Sequence, residues 1–599
     1  MAMNVNGDSS LPLLPAPSRL EHTSGAPFLL TPITPLRCQA ACAQEAEQLA
    51  ELLRNGLGWC GRVEHDQPEP EPGPPLQAGG EPTGDALPAL RLDLDEQIPG
   101  GPEAYALSAR ADGLELRGAS PSGVLQGVRT LLQLLPRRVM AADGATWAAC
   151  PPTGAQDGRA VDEAPGEAGV LARIPPLSIE DAPRFGHRGL MLDVARSFLG
   201  VEDVCAIVEA AGRYKINVLH LHLVDDQGWR LEITNEGRAE GDTIDYTRLT
   251  AVSGRTAVSA EGYGQRPGVG GFYTREDYRR ILDFCRSRHV EVIPEIDLPG
   301  HAGAALHAIP ELCTPGSSYA GTPQAPTAPA DGSTEVGRSY LDPHSPATLV
   351  FLRHVLTQVA GLDPHGRTIH LGGDEPYAMA HRYGAQEGSP YAGLLAAAQE
   401  MVRELGREPM GWNEAVSAGP RGILQVWNPE PQVARALRQA VGQGSRLVMS
   451  PVTHAYVDLK YDPSSPLGLT WAGSLEVPQA RSWDPARILE GVGAEAIDGV
   501  EATLWGETVR SRQDAEWLLF PRLLALAEVG WCIEPFPAAG GQDAAAPGRS
   551  LEDFLARCAA HGPRLAAAGT RFHATSTVPW GQYGPFPRQE LHPESEVHL

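Results

Sequence analysis

From residue 183 onward the chain alternates short apolar runs with stretches of helical spacing. The runs fall at residues 190–195, 218–224, 290–296, 368–371, 409–412, 423–427, 447–451 and 500–505, each of strand length. Helical periodicity separates several of them, at residues 201–215, 275–289, 347–362, 391–405 and 432–443; in the second of these Tyr278, Ile281 and Leu282 share one face. Eight such strands with intervening helices predict an α/β fold, a closed parallel (β/α)8 barrel. Before residue 176 the pattern differs. A strand at 28–37, a helix at 40–57, strand-like runs at 90–94 and 104–116 split by a turn at 111–113, and a helix at 121–135 predict a small α+β domain.

Stretches rich in Pro, Gly, Ala and Asp at residues 64–88, 141–176, 314–337 and 535–547 offer little to bury and read as loops or linkers. They divide the chain into an N-terminal segment without fixed structure (1–26), an α+β companion domain (27–176), the barrel (183–535) and an extension with one helix and a tail (536–599). At 599 residues a barrel and a companion domain are both accommodated. A net charge of −26 argues against a nucleic-acid or anionic-membrane partner, since both demand a basic footprint. No apolar run reaches the ~18 residues of a membrane span. Residues 1–20 carry no basic region, and their apolar patch is broken by Pro12 and Pro15, so no secretory leader is expected. Nine cysteines without a Cys-x-x-Cys pair read as reduced thiols. Together these predict a cytoplasmic protein. Oligomeric state is not legible.

Barrels of this kind place their chemistry at the C-terminal ends of the strands. Polar and aromatic residues stand at every predicted exit: Arg196, Asp225, His301, the pair Asp374-Glu375, Trp412, Trp427, Tyr456 with Asp458, and Trp505 with Glu507. Two adjacent carboxylates raise one another's pKa and can keep one protonated near neutrality, as acid–base chemistry requires. An isolated Asp-Glu pair reads as well as a solvated pair opening a helix; the strand-exit position favours the catalytic reading. Gly372 and Gly373 just before the pair would let a ligand approach the backbone.

The hexapeptide His370-Leu-Gly-Gly-Asp374-Glu375 resembles the His-x-Gly-Gly-Asp-Glu signature of the family 20 β-hexosaminidases. Further blocks are similar to that family in the same order: Arg188-Gly-Leu-Met-Leu-Asp-Val-Ala-Arg196-Ser-Phe198, Leu219-His-Leu-His-Leu-Val-Asp225-Asp-Gln-Gly-Trp-Arg230, Pro294-Glu-Ile-Asp-Leu-Pro-Gly-His301 and Gly411-Trp-Asn-Glu414. The resemblance spans residues 185–531 and, less specifically, the companion domain. It implies that Glu375 is the general acid and that Asp374 orients the substrate's acetamido group, whose oxygen replaces an enzyme nucleophile. It further implies a substrate-binding set in which Arg196, Tyr456, Asp458 and Glu507 contact the sugar, Trp412, Trp427 and Trp505 wall its pocket, His301 supports the carboxylates, and Asp225 either supports them or binds a hydroxyl. The partner would be a carbohydrate ending in a β-linked N-acetylhexosamine. No cofactor and no metal is expected.

His220 and His222 alternate on one strand face and so raise a metal-dependent hydrolase, but the other strand exits supply no companion set of histidines. Alone, each tryptophan reads also as packing, Tyr456 as a buried cap, Arg196 and Glu507 as a rim ion pair, and Asp297 as purely structural. A catalytically silent sugar-binding protein is the remaining alternative. Residues 235–271 and 314–337 follow strands two and three and match no family block; lids, subsite walls and disordered insertions all fit their Gly and Pro content.

Overall fold

The computed structural model describes residues 11–65, 88–140, 169–259, 266–419, 422–532 and 550–583. Most of the linkers expected at 64–88 and 141–176, all of that at 535–547, and the end of the C-terminal tail lie outside the described residues. Eight parallel strands close into a barrel: β1 (His187–Asp193), β2 (Val218–His222), β3 (Glu291–Glu295), β4 (Thr368–His370), β5 (Glu408–Trp412), β6 (Ile423–Val426), β7 (Arg446–Met449) and β8 (Ile497–Leu504). β8 returns to β1 with Leu504 opposite Leu192, which closes the ring. All the strands are almost wholly buried, as expected where side chains fill the barrel on one face and helices cover the other. Each overlaps an apolar run of the sequence.

The helix Arg275–Arg286 shows how local chemistry sets these elements. Thr274 accepts from the Asp277 N–H while Asp277 accepts from that of Thr274, a reciprocal capping box, and Tyr278, Ile281, Leu282 and Cys285 turn inward. The companion domain is a seven-stranded sheet in the order Arg19–His22, Leu177–Asp181, Tyr105–Arg110, Gly113–Gly118, Ala89–Leu94, Leu36–Cys38 and Val63–His65. Helices Ala43–Leu57 and Pro121–Leu134 pack on it.

Three expectations change. The strand expected at 28–37 is two strands, Phe28–Leu30 and Leu36–Cys38, in different sheets. Pro32 and Pro35 lie between them and cannot donate to a ladder. The segment 1–26, expected to lack structure, forms a strap from residue 11 onward; its first ten residues lie outside the described ones. Leu13 and Leu14 are buried, the Leu14 N–H donates to Gln133 Oε1 (2.8 Å), Arg557 donates to the Leu13 carbonyl (3.0 Å) and His561 to that of Pro12 (2.7 Å). Arg19–His22 then pairs antiparallel with Leu177–Asp181. Finally, the described parts of 235–271 and all of 314–337 are folded onto the barrel, where Ser259 donates to the Gly332 carbonyl (2.7 Å) and Gln227 to that of Ser333 (2.7 Å).

Buried charges join the two domains. Lys215, one of only two lysines in the chain, pairs with Asp181 at 2.9 Å and lies 4.0 Å from the centre of the Trp531 ring. Arg188 of β1 reaches Glu103 at 2.6 Å. Removing one partner of such a pair typically costs about 3–5 kcal/mol, because the other charge is left buried and uncompensated. Helix Leu551–Ala567 adds Arg557, which with Arg481 neutralises Glu528 (2.6 and 3.0 Å). No disulfide joins the eight cysteines within the described residues, and no described helix is long and apolar enough to cross a membrane.

Candidate active site

The exit of β4 is a strained turn. Gly372 has φ +63°, and a Cβ there would stand 1.7 Å from Asp297 Oδ1. The glycine thus admits the Asp297 carboxylate rather than a ligand, which corrects the sequence reading. Asp297 Oδ1 in turn accepts from the Gly373 N–H (3.2 Å), and the Tyr391 hydroxyl caps the Gly373 carbonyl. Glu375 itself is left-handed, with φ +45°. Such a conformation costs a non-glycine residue about 1–3 kcal/mol and persists only where its surroundings hold it, here at the foremost candidate residue.

The side chains behind this turn form one continuous network. His301 places Nε2 at 3.8 Å from Asp374 Oδ2 and 3.7 Å from Glu375 Oε2, while its Nδ1 meets Asp225 Oδ1 at 3.2 Å. Asp225 Oδ2 accepts from Arg196 Nη2 and from His222 Nε2, both at 2.8 Å. Deeper, Glu295 is met by His370 (2.8 Å), by His222 and by the Trp412 indole N–H (2.9 Å). His220 joins Glu501 (2.8 Å), which also holds His187 (2.8 Å). The two histidines that raised a metal reading are therefore each committed to carboxylates. His220-Glu295-His370, His222-Glu295-Asp297, Asp225-Asp226-His301 and Asp297-His301-Asp374 bring donor atoms within 4.8 Å, but their histidines, Asp225 and Glu295 ion-pair within the network, while Asp226 and Asp297 accept from the N–H groups of Gly303 and Gly373.

Electrostatics separates the carboxyls into roles. Burial and then the adjacent Asp374 push Glu375 up to about 7. Glu414, buried and near Asp374, is pushed up to about 8. Burial likewise raises Asp374, against the pull of His301. Asp225 goes the other way: burial would raise it, but Arg196 and His301 hold it well below the usual carboxylate range. One carboxyl is thus poised to carry a proton at neutrality beside a second acidic group, the pattern that acid–base catalysis uses.

Of the residues singled out in the sequence, Trp427, Tyr456 and Trp505 make one aromatic wall, with Tyr456 6.3 Å from Trp427 and 6.4 Å from Trp505. Trp412 lies 5.7 Å behind Trp505 and is wholly buried, so it backs the wall and holds Glu295 rather than offering a face. Arg196 does not pair with Glu507; its partners are Asp225 and Asp193 (3.3 Å), and its guanidinium lies 4.9 Å over Trp505. With four partners, Asp225 acts as a support more than as a free acceptor. Tyr456 bridges to Thr503 of β8, which brings the β7 and β8 exits together.

Two contributors, Trp471 and Tyr377, escaped the sequence reading, and Glu414 was read only as a strand-exit residue without a role. Trp471, 54 % exposed, stands 6.3 Å from Trp427 and 6.1 Å from Tyr456; a tryptophan in a Gly- and Pro-rich loop beyond β7 was the available signal. Glu414, at the exit of β5, accepts from the Trp427 indole N–H at 3.2 Å and from Asn413 at 3.1 Å, and so fixes the wall. Tyr377 stands beside Glu375.

Several buried polar atoms at this mouth have no hydrogen-bond partner: Asp374 Oδ1, His301 Nε2, Arg196 Nε, Glu507 Oε2 and both oxygens of Asp458. Each such atom costs about 1–3 kcal/mol if nothing meets it. Converging acceptors and donors against an aromatic wall suit a polyhydroxylated ring, whose C–H faces pack on indole while its hydroxyls satisfy the polar atoms.

Residues 185–534 match the catalytic domain of glycosyl hydrolase family 20, and residues 10–182 match domain 2 of the same family. A β-N-acetylhexosaminidase of Cellulomonas fimi is 34% identical over 96% of this chain and 98% of its own. The Streptomyces plicatus N-acetyl-β-hexosaminidase in complex with Thio-NAglucal superposes with a TM-score of 0.76 at 31% identity, over 95% of this chain and 98% of that one. The family 20 β-N-acetylhexosaminidase of Streptomyces coelicolor gives 0.75 at 31% identity, over 95% and 99%. With both its domains matched, the chain belongs to glycosyl hydrolase family 20.

Proposed function

We propose that the protein is an exo-acting β-N-acetylhexosaminidase, which removes terminal β-linked N-acetylglucosamine or N-acetylgalactosamine with retention of configuration. The observation that carries this reading is the β4 turn: Glu375, pushed up to about 7, beside Asp374, whose buried Oδ1 has no partner. Asp374 Oδ1 accepts the acetamido N–H of the substrate. The acetamido oxygen then bonds to the anomeric carbon as the glycosidic bond breaks, and the proton of Glu375 passes to the departing oxygen. Asp374 stabilises the resulting oxazolinium. In the second step the Glu375 carboxylate takes a proton from water, which attacks the same carbon and reopens the ring. No enzyme nucleophile is used, as the substrate-assisted route of this family requires. Arg196, Asp458 and Glu507 meet the sugar hydroxyls, and Tyr456 donates to the acetamido oxygen, which holds it in attacking geometry.

The test compares aryl β-glycosides of N-acetylglucosamine, N-acetylgalactosamine and glucose, with and without a chelator. Turnover of the first two and not of the third is expected, unaffected by chelation. Efficient cleavage of the glucoside would sink the acetamido mechanism, and loss of activity on chelation would revive the metal reading.

The acid must be protonated to act, so activity falls as pH rises through the pKa of Glu375. An alkaline limb near pH 7 is expected in kcat/KM. Asp374→Asn removes the charge that disfavours ionisation of Glu375, so the limb moves to lower pH. A limb that stays in place would show that another group controls it. Trp505→Ala opens the wall and raises KM by about tenfold or more, in keeping with the loss of roughly 1.4 kcal/mol of ring contact. An unchanged KM with a lower Tm would leave Trp505 a packing residue only.

A further inference from the structure

Protonation requires the Glu375 carboxyl to meet the glycosidic oxygen, so whatever exposed group stands beside that carboxyl faces the part of the substrate that leaves. Tyr377 is such a group. Its hydroxyl lies 3.5 Å from Glu375 Oε1, yet the residue is 57 % exposed, among the most exposed large hydrophobic residues of the described chain. The ring is not free to wander. The Tyr377 N–H donates to the Glu375 carbonyl (2.7 Å), and the Ala378 N–H donates to that of Gly337 (2.9 Å). Gly337, at the end of the 314–337 segment, has φ +72°, and a Cβ there would come within 2.3 Å of Tyr377 Cδ2. The glycine thus forms a seat for the ring against the acid's own turn.

We propose that Tyr377 is a leaving-group recognition residue, whose ring packs on the C–H face of the departing pyranose while its hydroxyl stays at the acid. The aromatic wall of Trp427, Tyr456 and Trp505 serves the sugar being cleaved; Tyr377 serves the one that departs. It rests on Glu375 being the general acid. It also gives the 314–337 segment a task, since the seat of the ring is that segment's last residue. Burying one aromatic face on a sugar ring is worth a modest amount, so the expected effect is roughly fivefold to tenfold.

The experiment uses the full-length protein and its Tyr377→Ala and Tyr377→Phe variants. Substrates are the β-1,4-linked disaccharide of N-acetylglucosamine and the corresponding p-nitrophenyl glycoside. Free N-acetylglucosamine, which fills only the cleaved-sugar pocket, is the competitive inhibitor. Tyr377→Ala should lower kcat/KM for the disaccharide by roughly fivefold to tenfold, leave the inhibition constant of N-acetylglucosamine within about twofold, and leave Tm unchanged. Tyr377→Phe keeps the ring and should retain most of the disaccharide activity. Wild-type kinetics in Tyr377→Ala would overturn the proposal, as would an equal weakening of N-acetylglucosamine binding, which would place the ring in the other pocket. A wild-type enzyme that cleaves the aryl glycoside but not the disaccharide would overturn the pyranose assignment. Wild-type failure on both substrates would instead bring down the enzymatic reading itself.

Discussion

Glu375→Gln is expected to cut turnover of substrates with unactivated leaving groups by about 10²–10⁴-fold, the usual worth of general acid catalysis. Glutamine keeps the shape of the side chain but has no proton to give. A dinitrophenyl glycoside leaves as a stable anion and needs little protonation, so its first step should fall far less. The fold should survive, because Glu375 is already partly uncharged near neutrality and sits at the end of a turn held by its backbone. Steady-state rates on a graded series of aryl glycosides measure the contrast. Equal losses across the series would strip Glu375 of the role, whatever else remained true of the site.

Asp374→Asn should produce a different signature. The amide keeps the shape of the side chain but puts no charge beside the oxazolinium, so kcat falls by about 10²–10³-fold irrespective of the leaving group, as for the removal of one preorganised stabilising contact. Loss of the charge also weakens binding of a thiazoline mimic of the cyclic intermediate, more than it weakens binding of the product sugar, because the site favours species that resemble the transition state. A variant whose thiazoline affinity matched the wild type would separate Asp374 from the intermediate. Capture of a covalent glycosyl adduct on any carboxylate would replace the substrate-assisted route while leaving the family assignment in place.

The barrel was legible because its strands are short apolar runs buried on both faces, and because chemistry concentrates where each run ends. Asp374 and Glu375 could be picked out for the same reason. What the pattern could not disclose was which neighbour a residue serves. Gly372 reads as room for a ligand until Asp297 is found where its Cβ would be. Trp412 reads as a pocket wall, but its indole N–H belongs to Glu295 and the ring is wholly buried. Trp471 and Tyr377 are lone aromatics outside any periodic run, so only three dimensions bring them to the mouth. Residues 11–16 were the hardest, since their apolar patch is short and broken by two prolines, and Pro12, Leu13 and Ala16 find partners more than 500 residues away, in His561, Arg557 and Glu528.

That separation bears on how the molecule is made. The strap is synthesised early, yet the groups that receive it lie on the last helices, up to 549 positions later. At about 5–20 residues per second, the interval is roughly half a minute to two minutes. Over that time Leu14 can reach Gln133, but Glu528 has not yet met Arg557, and Leu177–Asp181 can pair with the edge strand Arg19–His22 well before the strap is fastened. Fastening of the strap therefore waits for helix Leu551–Ala567, and the early-made residues act as a late latch.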